Sequence, residues 1–122
     1  MKGIRFIKAP LHGILDYLVD ITLILCPFLL EFPDRPSAII FVPVGIGTAN
    51  LIYSLLTGYS RGLVALIPFR IHLALDFIVG LVLIAIPIVY SVEGIPALFH
   101  FLMGGGIVAA VAVTDPDSAT TG

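Results

Sequence analysis

The chain has 122 residues, enough for one domain, and 59% of them are hydrophobic while only 11% are charged, against about 25% charged in an ordinary soluble domain. That excludes a typical water-soluble fold and leaves a membrane protein. Six Lys or Arg against eight Asp or Glu give a formal charge of -2 with no basic cluster, so a nucleic-acid partner has no electrostatic footprint.

Lys2, Arg5 and Lys8 precede the first apolar stretch in the manner of a secretory signal, but Asp16 and Asp20 interrupt the core that such a signal needs. A bilayer core of roughly 30 Å takes about 20 apolar residues per helix, which predicts a first span over about 9–31. Cys26, within it, is the single cysteine, so neither an intramolecular disulfide nor a thiolate zinc cluster can form. The breaker-rich Glu31-Phe32-Pro33-Asp34-Arg35-Pro36 ends that span, and a second is predicted at about 38–57. A connection opened by Thr57-Gly58-Tyr59-Ser60-Arg61-Gly62 leads to a third span at about 69–91, then Glu93-Gly94-Ile95-Pro96 and a fourth at about 95–113. Residues 114–122 read as a short, polar, flexible tail. Four strands cannot close a barrel in lipid, so four helices is the expected spanning solution.

Sliding the chain on itself by 60 residues pairs His12 with His72, Asp16 with Asp76, Leu23 with Leu83, Pro27 with Pro87, Pro36 with Pro96, Gly45 with Gly105 and Ala49 with Ala109, without a gap. Polar residues and prolines recur along with the aliphatics, so the expected architecture is an all-α membrane protein of two tandem helical hairpins, at about 9–57 and 69–113, in one membrane domain. With an even number of spans per repeat, the hairpins share one orientation. Lys2, Arg5, Lys8, Arg61 and Arg70 lie on one side and Arg35 alone on the other, which places both termini in the cytoplasm, expected to be that of a bacterium.

Leu11-His12-Gly13-Ile14-Leu15-Asp16-Tyr17-Leu18-Val19 and Ile71-His72-Leu73-Ala74-Leu75-Asp76-Phe77, each followed by an aliphatic run and a proline, resemble the small bacterial SPW-repeat membrane proteins. Where that family carries Ser-Pro-Trp, this chain has Cys26-Pro27-Phe28 and Ile86-Pro87-Ile88, and it has no tryptophan. The resemblance implies an integral membrane protein of tandem two-helix hairpins and assigns it no chemistry.

His12 with Asp16, and His72 with Asp76, are spaced i,i+4 and share a helix face. Packed about a pseudo-two-fold axis, the first and third helices would adjoin and gather two imidazoles and two carboxylates inside the protein, since ionisable groups in a span avoid lipid. Three readings are open: each Asp orients its own His or bonds a neighbouring helix and pins the bundle; the four groups handle protons or a divalent metal; or the histidines hold haem or a pigment. Asp20 continues the face towards mid-span, with Asn50, Thr48 and Ser54 as candidate partners in a packing bond or a proton relay. His100 reads as a lone interfacial histidine, and Tyr17, Tyr53, Tyr59, Phe69, Tyr90 and Phe99 as interface anchors. Pro27 and Pro87 are expected to bend their helices, and the small residues of the second and fourth helices, Gly45, Gly47, Gly104, Gly105, Gly106 and Ala109 among them, read as contact surfaces. No nucleophile elbow, phosphate loop or dinucleotide fingerprint is present, so an enzyme is disfavoured. The expected role is a structural or accessory subunit of a larger membrane complex or homo-oligomer, without a cofactor; the alternative is a proton-, metal- or haem-handling protein.

Overall fold

The computed structural model describes residues 4–58 and 65–119; Lys2, Tyr59 and Arg61 lie outside them. Four helices and no strand occur among the described residues: α1 (Ala9–Leu29), α2 (Ala38–Leu55), α3 (Phe69–Val89) and α4 (Gly94–Ala112). Each is long and apolar enough to cross a membrane.

The ends of α1 and α3 repeat each other. Pro10 enters the first turn of α1, where a missing N–H costs no helical bond. At the far end Glu31 takes a left-handed conformation at φ 52°, and the Phe32 and Glu31 amides donate to the Pro27 and Phe28 carbonyls at 2.9 and 3.1 Å, a Schellman closure. Ser91 adopts the same φ after α3, and the Val92 amide donates to the Pro87 carbonyl at 2.9 Å.

Packing is tightest within each hairpin. α1 crosses α2 at Gly47, where an added Cβ would sit 2.8 Å from the Asp20 carbonyl oxygen and 2.9 Å from Leu23 Cβ. α3 crosses α4 at Gly104, where it would sit 2.6 Å from the Gly80 carbonyl oxygen. Close backbone approach of this kind holds helices together in lipid, where hydrophobic expulsion is absent. The hairpins meet around Leu23 and Leu83, both fully buried, joined by Ile39, Ile107, Phe32 and Phe99. The backbones of α1 and α3 lie diagonally across the bundle, so the expected adjacency of these two helices is made by side chains.

The repeat is not gapless. α1 and α3 correspond at a spacing of 60, but Gly47 answers Gly104 and Thr57 answers Thr114, so the second helices correspond at 57. The turn between α3 and α4 is shorter than that between α1 and α2, and the matches Gly45/Gly105 and Ala49/Ala109 fall on non-equivalent positions.

A paired closure secures one end of the bundle. Ile7 forms a single parallel bridge with Thr114, and Ile67 one with Thr57, so the chain entering each hairpin pairs with the chain leaving the other. The tail expected to be flexible is docked over residues 114–119. Asp115 N–H donates to the Ile7 carbonyl at 2.9 Å, Ala9 N–H donates to Ser118 Oγ at 2.8 Å, Lys8 meets Asp115 at 3.3 Å, and Arg70 pairs with Asp117. Ser118 thereby caps α1, whose own N-cap residue Lys8 offers no acceptor.

Candidate functional site

The i,i+4 spacing sets each imidazole over the carboxylate of its own helix, and the diagonal approach of α1 and α3 interleaves the two pairs. His12 Nε2 lies 2.9 Å from Asp76 Oδ2 and 3.2 Å from its own Asp16 Oδ1. His72 Nε2 lies 2.7 Å from Asp16 Oδ2 and 3.2 Å from its own Asp76 Oδ2. Each histidine thus touches the aspartate of its own helix and lies nearer that of the other repeat, so of the two arrangements expected for the pairs, own His or neighbouring helix, the bond to the neighbouring helix is the shorter. The side chains of His12, His72 and Asp76 are 0 to 3% exposed and that of Asp16 14%, so the quartet faces protein and opens only at Asp16.

Three residues outside the expected set complete it. His12 Nδ1 is 2.8 Å from Thr114 Oγ1 and His72 Nδ1 2.8 Å from Thr57 Oγ1, so the residue leaving each hairpin holds the histidine entering the other. Tyr53 O–H donates to Asp76 Oδ1 at 2.5 Å, and its ring lies edge-on to His72 with centroids 4.9 Å apart. By sequence Tyr53 reads as an interface anchor and Thr114 as part of the tail. A 57-residue register over the second half would have paired the two threonines; no sequence signal marks Tyr53.

Asp20 is fully buried beside the α1–α2 crossing, but neither of its carboxylate oxygens has a hydrogen-bond partner, nor have Asn50 Oδ1 and Ser54 Oγ. Thr48, another of the expected partners, donates to the Val44 carbonyl at 2.8 Å. His100 is also fully buried rather than interfacial. Its Nδ1–H donates to the Pro96 carbonyl at 2.8 Å and its ring packs on Phe32 and Phe99. Phe69 and Phe99 are core residues, with Phe69 edge-on to His12 at 5.5 Å.

Between His12 and His72 there is no room for a flat macrocycle: their rings are 5.6 Å apart at 80°, and both Nε2 atoms already face carboxylates. The donor set fits a small cation or shared protons. Comparison with known protein families, with curated proteins and with solved structures gives no match.

Proposed function

We propose that the protein is a non-catalytic integral membrane subunit that docks through its second and fourth helices onto a larger membrane partner or another copy. The observation that carries this is the direction of its small residues. Gly47, Gly80 and Gly104 are used inside the hairpins, whereas a Cβ placed on Gly45, Gly105 or Gly106 would meet nothing within 4 Å. With exposed Thr48, Ala49 and Ala109 they give α2 and α4 outward small-xxx-small faces at 45/49 and 105/109. α1 presents large apolar residues such as Leu18, Ile21, Leu25 and Phe28 outwards, whereas on α2 and α4 the small residues lie among exposed Phe41, Ile52, Leu98 and Leu102. An outward glycine face contributes nothing against lipid and permits close approach to another helix. The His/Asp quartet fits this reading as the internal clasp between the hairpins. Residue resemblance supports kinship with SPW-repeat proteins, and the charge distribution supports a bacterial cytoplasmic membrane with both termini inside.

Gly45→Leu combined with Gly105→Leu tests the reading, because neither position has an internal neighbour to displace. The expected variant inserts and melts as wild type does but loses the larger assembly seen on native gels after mild solubilisation. An assembly that survives the double change, or a wild-type chain that runs alone, overturns it.

A further inference from the structure

Each threonine beside the quartet has one hydroxyl hydrogen, and both direct it to a main-chain carbonyl: Thr57 to Tyr53 and Thr114 to Ala110, each at 2.5 Å. Their oxygens can then only accept from the imidazoles, so Nδ1 of His72 and of His12 carries a hydrogen. The Nε2 atoms are left facing the carboxylates. Two bare nitrogen lone pairs opposite two carboxylates at 2.7 and 2.9 Å would repel. The square closes only around two positive charges, supplied either by two protons on the nitrogen–oxygen lines or by one dication at its centre.

The ligand atoms all lie within 4.8 Å of one another. A tetrahedral zinc ion with bonds of about 2.0 to 2.2 Å sets its ligand atoms about 3.4 Å apart, so closing on an ion needs shifts of about an ångström. We propose that His12, Asp16, His72 and Asp76 form an exchangeable site for one first-row divalent transition cation, bound by both Nε2 atoms and one oxygen of each carboxylate. The entering ion replaces two protons, which leave to water, and charge balances. Two imidazoles favour zinc-like ions over calcium or magnesium, which take oxygen ligands. The outer partners that fix metal ligands are already present: each Nδ1–H donates to a threonine, and Tyr53 O–H donates to Asp76. The partly exposed edge at Asp16 gives the ion its entry. This site is independent of the docking faces on α2 and α4.

The test uses the purified full chain in nanodiscs, stripped with chelator, then titrated with Zn²⁺ against a chromogenic competitor and with Co²⁺ by visible absorption. The expected result is one ion per chain and the intense visible bands of a four-coordinate cobalt site. Thr57→Val should weaken Zn²⁺ binding about 10- to 100-fold by freeing the His72 ring, with helicity unchanged. Asp16→Asn, which keeps shape and removes a ligand charge, should abolish the cobalt bands. Zn²⁺ affinity equal in wild type and Asp16→Asn, or cobalt bands absent from wild type, overturns the site. Either result leaves the docking function standing if Gly45→Leu with Gly105→Leu still dissolves the assembly. Metal binding by a wild-type chain that runs alone on native gels instead overturns docking alone.

Discussion

His12 and His72 are each held at both ring nitrogens, by a threonine on one side and by carboxylates on the other, so their orientations are over-determined. The carboxylate from the opposite repeat is the nearer one, which makes the quartet a joint between hairpins rather than two local pairs. A double-mutant cycle should show it. Coupling between Asp16→Asn and His72→Gln is expected at about 1 to 3 kcal/mol, larger than between His12→Gln and Asp16→Asn; the reverse order in thermal or denaturant unfolding would contradict the crosswise pairing. A second expectation concerns Glu31, a non-glycine residue at φ 52°. Glu31→Gly should raise stability by up to about 1 kcal/mol, because glycine enters that region without Cβ strain. A lowered melting midpoint would show that the Glu31 side chain contributes more than its backbone strain costs.

Among the elements, glycines divide by the direction they face. Gly104→Ala drives a Cβ to 2.6 Å from the Gly80 carbonyl oxygen, and backbone cannot swing aside as a side chain can. The α3–α4 hairpin must then separate, at a cost expected at about 1 to 3 kcal/mol. Gly45→Ala meets open space and should leave the unfolding midpoint unchanged or slightly higher, since alanine is the better helix former. Equal losses at the two positions, measured by thermal unfolding in detergent, would refute the division between internal crossing and outward face.

For the molecule as a whole, closure depends on chain segments that a list of helices omits. The tail supplies Thr114 to His12, Ser118 to the start of α1 and Asp117 to Arg70. Thr114→Val leaves a buried Nδ1–H without its acceptor, at about 1 to 3 kcal/mol, and Thr57→Val should cost a similar amount through the pseudo-symmetric contact. Truncation after Val113 should exceed Thr114→Val by about 1 kcal/mol, the worth of the lost Ser118 cap. A truncated chain as stable as wild type, judged by thermal unfolding, would show that the docked tail contributes nothing.

The sequence by itself determined the four helices and close approximations to their limits, because apolar length and proline and glycine breakers are local properties and lipid admits no open strand edge. It also displayed the duplicated His/Asp pairs, since their spacing lies within two helical turns. It did not determine the crosswise pairing: His12 and Asp76, or His72 and Asp16, lie 64 and 56 residues apart, and only the diagonal packing of α1 against α3 brings them together. The shortened second turn hid the match between Thr57 and Thr114 behind a gapless 60-residue alignment. Tail docking, too, was settled only in three dimensions, because a polar segment becomes ordered when the donors and acceptors of another helix end are already in place to receive it.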